Sequence, residues 1–197
     1  MKKHLFIICF LGLSSFCQAQ TDVHLNIVNL LFFEASGSIE KGLNKNISVG
    51  GFAGYFYGLP HGAEGPFFLS NNGGENKYFH IGPEVKFYVY PDGSLNRFFV
   101  GAYARYTNGK ATSPDNYGGE ISSRYNKGSM GLSLGSKWVT KSNIIFGFFG
   151  GIDRNFVSNY NNERYLGTSP ADGDDEYFGY RIGAHIGYRF GNKSTDK

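Results

Sequence analysis

The chain has 197 residues, 19 of them basic and 16 acidic, with 29 Gly, 19 Phe, 14 Tyr and only 6 Pro. That is room for one domain or one small barrel, and so much Gly and aromatic character points to strands and turns rather than helices. A near-neutral balance with no basic stripe speaks against nucleic acid as a partner, and beyond the first twenty residues the longest nearly apolar run, Ile144 to Ile152, is too short to cross a bilayer as a helix.

Residues 1–19 read as a secretory signal peptide. Lys2 and Lys3 form a basic start, Leu5 to Leu13 an apolar core, and Cys17-Gln18-Ala19 offers small residues at the −3 and −1 positions of a cleavage site after Ala19. Phe16 stands before Cys17, where attachment of a lipid to the Cys would need a small residue. Both cysteines, Cys9 and Cys17, leave with the signal, so the mature chain is expected to have no disulfide, no thiolate nucleophile and no Cys-ligated metal. The mature chain then carries 17 basic against 16 acidic residues.

Eight segments with a period of two follow, in residues 20–190. Asp22 to Leu30, Phe33 to Lys41 and Ile47 to Tyr57 are the weaker ones at the start, with a tight turn near Leu31 and Phe32. Next, Phe79, Ile81, Val85, Phe87 and Val89 alternate with His80, Gly82, Glu84, Lys86 and Tyr88. Phe98, Val100, Ala102, Ala104 and Tyr106 alternate with Gly101, Tyr103 and Arg105; Met130, Leu132, Leu134 and Trp138 alternate with Ser129, Gly131, Ser133, Gly135 and Lys137. A weaker segment spans Asn143 to Phe156. The last is the cleanest: Phe178, Tyr180, Ile182, Ala184, Ile186, Tyr188 and Phe190 alternate with Gly179, Arg181, Gly183, His185, Gly187 and Arg189. Alternation of this kind is a strand with two chemically distinct faces. Gly42 to Asn46, Pro91 to Asn96 and Thr140 to Asn143 read as short turns, whereas Gly58 to Lys77, Asn108 to Lys127 and Ser158 to Glu176 read as long polar loops. Short turns at one end and long loops at the other is the asymmetry of an outer-membrane barrel, and starting and ending on the short-turn side requires an even number of strands.

A soluble barrel would also alternate, so the composition of the polar face decides which face meets lipid. It is mostly Gly and Ser with isolated Arg, Glu, Lys, His and Tyr. Gly is a poor strand former, but inside a narrow eight-stranded barrel it leaves room for Arg181, Arg105 or Glu84 to lie across the lumen. Aromatics gather at segment ends, with Tyr188, Phe190, Trp138 and Phe98 at the short-turn side, and Tyr55, Tyr57, Phe79, Tyr106, Phe156, Phe178 and Tyr180 at the long-loop side. Two girdles at lipid–water boundaries have this form. On the apolar phase only Lys41 and Arg154 are charged, both near segment ends, where the cost is small. The expected architecture is an all-β, eight-stranded, antiparallel up-and-down transmembrane barrel.

The C-terminal run resembles the β-signal of outer-membrane barrels, a polar residue, a Gly and spaced hydrophobics, here Arg181, Gly183, Ile186, Tyr188 and the closing Phe190. The mature chain as a whole resembles the small single-domain outer-membrane barrels akin to the transmembrane part of outer-membrane protein A. Leu25-Asn26-Ile27 and Ser36-Gly37-Ser38-Ile39-Glu40-Lys41 are similar to the opening of a subgroup of unknown function. The resemblance implies a monomer in the cell outer membrane, in contact with its lipid and lipopolysaccharide, inserted by the barrel assembly machinery. One departure is the polar tail, residues 191–197, too short for a peptidoglycan-binding domain.

The expected inner face carries Glu40, Glu84 and Asp153 against Lys86, Arg105, Lys137, Arg181 and Arg189, with His80 and His185 as hydrogen-bonding residues. Charges facing a narrow interior should pair. A paired network fills the barrel; a switchable one would line a narrow pore for small solutes, although a patent channel usually needs more strands. Asp172-Gly173-Asp174-Asp175-Glu176 lacks the spacing of a calcium-binding loop, and His24, His61, His80 and His185 lack that of metal ligands, so neither a metal nor another cofactor is expected. Lipid-A deacylases pair His and Ser two residues apart; no His-x-Ser occurs here, so an enzyme, including one that modifies outer-membrane lipid, is not expected. The long loops, with Pro66-Phe67-Phe68-Leu69 and Tyr160 to Tyr165, suit contact with a partner. The expectation is therefore a barrel with a structural or surface-interaction role.

Overall fold

The computed structural model describes residues 20–58, 75–91, 95–114, 120–162 and 178–191. Residues 1–19, expected to be a signal peptide, and His61, Pro66 to Leu69, the acidic run 172–176 and the tail beyond Gly191 lie outside the described residues.

Alternating segments give eight strands: β1 (Thr21–Asn26), β2 (Glu34–Gly42), β3 (Ile47–Phe56), β4 (Glu75–Tyr88), β5 (Arg97–Pro114), β6 (Glu120–Val139), β7 (Ile144–Asn162) and β8 (Phe178–Phe190), with one short helix, α1 (Ile27–Leu31), after β1. Each strand pairs antiparallel with the next, and β8 returns to β1, where Thr21 faces Phe190 and Asn26 faces His185. The sheet is a closed up-and-down barrel of eight strands.

Its two faces are inverted relative to a water-soluble protein. Leu132 and Ile182 point outward and are 62% and 67% exposed, while Asp22 and Lys137 are 0% exposed inside. Water would leave such large apolar side chains without a favourable environment. Hydrocarbon suits the arrangement, because closure pairs the backbone over most of the wall and the apolar face meets acyl chains. The outward aromatics Tyr55, Phe79, Tyr106, Phe156 and Phe178 stand towards the long-connection end, and Phe98, Trp138, Tyr188 and Phe190 towards the short-turn end.

Local chemistry shapes the short turns. The Asn44 side chain accepts hydrogen bonds from the backbone N–H groups of Asn46 (2.9 Å) and Ile47 (2.8 Å), closing the β2–β3 turn. Thr140 Oγ1 accepts from the Ile144 N–H at 3.0 Å, and Asn143 takes a left-handed φ of 64° between β6 and β7. In the β4–β5 turn Leu95, at φ 48°, is fully buried, and its N–H donates to the Lys45 carbonyl.

The structure corrects three expectations. β1 ends at Asn26 rather than Leu30, because Asn26 takes an extended conformation and its side chain accepts the Asn29 N–H, capping a helical turn. The link to β2 is thus α1 followed by Phe32 and Phe33, not a tight turn alone. Finally, much of the segment Asn108 to Lys127, expected as a loop, is strand. β5 and β6 stay paired as far as Pro114 and Glu120, and β4 and β7 extend beside them to Glu75 and Asn162. The hydrophobic period fades there, although the backbone ladder continues. A bulge at Phe156 shifts the β6–β7 register between Gly128 and Ser129, leaving Phe156 and Val157 both outward.

Candidate functional site

The candidate site is the interior of the barrel, and its two halves differ. The half near the short turns is filled. Lys137 Nζ donates to Asp22 Oδ2 at 2.7 Å and to Glu40 Oε1 at 2.9 Å. Glu40 also accepts from Lys86 Nζ (3.0 Å) and from the Tyr88 hydroxyl (2.6 Å). Arg189 closes the network from β8, with Nε and Nη2 each 2.8 Å from an Asp22 oxygen and Nη2 donating to the Leu95 carbonyl at 3.1 Å. Beside these charges Tyr88, Leu95 and Phe99 form a fully buried apolar cluster, with Phe149 against it. Lys86 and Lys137 stand over the Phe99 and Tyr88 rings, each 4.8 Å from the centroid. Every member is thus held by opposite charge and hydrogen bonds, and the two lysines by a ring face as well, the arrangement that makes buried charge tolerable.

At mid-height Glu84 accepts from Ser133 Oγ at 3.0 Å and lies 3.5 Å from Lys86 Nζ and 3.6 Å from Arg181 Nη1. The Arg181 guanidinium sits 3.7 Å from the Phe52 ring centroid and 4.5 Å from that of Tyr103. Across the lumen Asp153 accepts from the Tyr103 hydroxyl (2.7 Å) and Arg105 Nη2 (2.9 Å). Glycines make this crowding possible. A Cβ on Gly179 would lie 2.5 Å from Asp153 Oδ1 and 2.6 Å from Arg105 Nη2, and one on Gly147 would meet the His185 ring at 2.5 Å.

Towards the long-connection end the lumen widens into a cavity of about 470 Å³. His24, His185, Glu84, Lys86, Arg105 and Arg181 form its floor and walls, and Phe52, Phe56 and Phe149 its apolar lining. Near its rim Glu34 accepts from Asn29 Nδ2 at 2.5 Å and from the Tyr78 hydroxyl at 3.3 Å, with His80 Nε2 3.7 Å away.

All nine residues read from the sequence as a luminal charged network lie on the inner face. Glu40, Lys86, Lys137 and Arg189 join in the filled half, and Glu84 and Arg181 meet above them. Arg105 and Asp153 pair separately, and His185 packs edge-on to His24, ring centroids 4.6 Å apart. Arg181, Gly183, Ile186, Tyr188 and Phe190 of the C-terminal motif all lie in β8. Sequence reasoning missed Asp22, the acid shared by Lys137 and Arg189, together with His24, Glu34 and the hydroxyls of Tyr88 and Tyr103. Asp22 and His24 occupy the inward phase of β1, so a firmer placement of that strand would have found them.

A structure with the same architecture is a major outer membrane protein from Thermus thermophilus. It superposes with a TM-score of 0.52 at 12% identity, over 88% of this chain and 98% of that one. The fold is that of the small outer-membrane β-barrels. Neisserial surface protein A aligns over 88% of this chain and 96% of its own at 13% identity (TM-score 0.43), and Acinetobacter baumannii CarO over 89% and 98% at 10% identity (TM-score 0.39). No protein-family model matches the chain, and no curated protein sequence matches it. Among the described residues no group of three or more His, Cys, Asp or Glu is placed to hold a metal ion.

Proposed function

We propose that this chain is an integral protein of the bacterial outer membrane, a closed monomeric barrel with a structural or surface-interaction role. The filled half of the lumen carries this reading. Asp22, Glu40, Lys86, Lys137 and Arg189 neutralise one another beside the Tyr88–Leu95–Phe99 cluster, leaving that end of the barrel packed rather than open. Breaking such a network is costly, which argues against the alternative of a narrow solute pore. The inverted faces support a lipid environment, with the short turns towards the periplasm and the tall β4–β7 wall towards the outside. That wall is a rigid support for the connections it carries, and rigid scaffolds bearing loops suit partner binding. Lipid and lipopolysaccharide would surround the apolar belt, and β8, which seals against β1, would be the strand presented to the assembly machinery.

Two measurements test the proposal. The protein should fractionate with the outer membrane and migrate faster on unboiled than on boiled gels; recovery only as a soluble periplasmic species would overturn the location. In planar bilayers the purified protein should give no discrete conductance steps, and regular single-channel steps would establish the pore instead.

A further inference from the structure

The barrel wall is incomplete in one place. β1 pairs with β8 only as far as Asn26–His185 and with β2 only as far as Leu25–Gly37. Above that level, residues 178–184 of β8 and 34–36 of β2 have no strand between them among the described residues. The space is bridged by α1, whose Ile27, Leu30 and Leu31 are exposed on the outside. One side-chain amide latches it: Asn29 Nδ2 donates to Glu34 Oε1 at 2.5 Å and to Ser36 Oγ at 3.0 Å. On the far side of the helix Phe33 holds a left-handed φ of 62°, a strained conformation for an aromatic residue. The upper cavity reaches this seam. Its lining includes Val28, Asn29 and Phe32 from the bridge and the outward-facing Tyr180 and Ile182, together with the luminal Arg181, His24 and His185. At this seam the cavity is thus lined by residues of both faces of the wall.

Its inner end holds buried polar atoms that make no hydrogen bond within the protein. Neither ring nitrogen of His24, which is 2% exposed, makes a hydrogen bond, its Nε2 lying 3.8 Å from Glu40 Oε2; His185 Nε2, Arg105 Nε and Arg181 Nη1, which stands 3.6 Å from Glu84 Oε1, make none either. The arginine nitrogens are donors only, and a neutral imidazole supplies one more donor. Buried donors without acceptors are costly, and an acceptor-rich group placed among them removes that cost. A volume of about 470 Å³ falls within the range of small-molecule pockets, roughly 300–1,000 Å³.

We propose that the seam bridged by α1 is a lateral port, through which an amphiphile with a carboxylate or phosphate head passes from the lipid into the upper cavity. The head lies among Arg181, His24 and His185, and the chain leaves past Ile182 and Tyr180 beneath α1. The proposal rests on the outer-membrane reading above and adds a ligand class and a route to it.

The test is calorimetric binding of oleate and of oleoyl lysophosphatidate to the purified barrel in dodecyl maltoside, with oleylamine as the cationic control. Saturable one-to-one binding of at least one acidic amphiphile is expected, and which of them binds identifies the head as carboxylate or phosphate. His24→Phe and Arg181→Gln should each weaken it by about tenfold or more; His24→Phe removes a side chain without hydrogen-bond partners and keeps the test open if Arg181→Gln does not fold. The mature chain being free of Cys, Ile182→Cys labelled with pyrene maleimide should slow association, whereas the same label on Trp138→Cys should not. No saturable binding of either acid, equal binding of oleylamine, or binding indifferent to the label at position 182 would overturn the proposal. Heat-modifiable migration of the same samples separates the two readings. A folded outer-membrane barrel that binds nothing removes the port alone, and a soluble periplasmic species removes the location.

Discussion

Replacing Lys137 by Met removes the centre of the filled half of the lumen at nearly constant volume. Its ammonium makes two hydrogen bonds to carboxylates, at 2.7 and 2.9 Å, and stands over the Tyr88 ring. Each charge-assisted bond contributes about 1.5–3 kcal/mol, and breaking a buried pair from one side costs about 3–5 kcal/mol. The neighbours soften the loss, since Asp22 keeps Arg189 and Glu40 keeps Lys86 and Tyr88. The expected cost is therefore near the lower edge, about 3 kcal/mol. With a urea dependence of about 2 kcal/mol/M the unfolding midpoint should fall by about 1.5 M. The assay is reversible urea unfolding of the refolded barrel in lipid vesicles. It can be followed by the single Trp of the chain, Trp138, which neighbours Lys137 and packs on Phe148 with ring centroids 5.5 Å apart. Lys141→Met, on the exposed β6–β7 turn, is the control and should stay within about 0.5 kcal/mol of the parent. Adding Asp22→Asn to Lys137→Met should cost less than the sum of the two single changes, because the acid left behind is then neutral. A loss below about 1 kcal/mol for Lys137→Met, or an equal loss for Lys141→Met, would refute the claim that this network stabilises the barrel.

Leu132→Arg places a charge on the outward face in the middle of β6 and should cost about 2–4 kcal/mol in vesicles, whereas Phe178→Arg at the end of β8 should cost about 1 kcal/mol or less; equal effects in urea titrations would contradict the lipid belt. Gly131→Ala should fold poorly on refolding gels, since its Cβ would stand 2.6 Å from Asp153 Cβ, while Gly150→Ala, where the nearest atom is 4.0 Å away, should be neutral or stabilising by up to about 1 kcal/mol. Tyr103→Phe removes the hydroxyl that donates to Asp153 at 2.7 Å and should cost about 1–3 kcal/mol by the same urea titration, with the barrel still formed.

Much of the architecture was written in the residue order. A period of two is a local property, set by which face of a strand meets lipid, so the alternation over Phe178–Phe190 and around Met130 to Trp138 announced those strands and their inward residues. The short turns were equally local, because Asn44 and Thr140 act on backbone groups a few residues away. What only the tertiary structure decided is which inward charges meet. Lys137 and Asp22 are 115 positions apart, and their contact follows from closure of β8 onto β1, a register that no short segment contains. The tall β5–β6 hairpin escaped notice because polar residues dominate both of its faces, which erases the period while leaving the hydrogen-bonded ladder intact. The early end of β1 escaped for the opposite reason. Its apolar residues run on through Leu31, and only the Asn26 cap, read together with the Asn29 latch to Glu34, turns that run into a helix across the open seam.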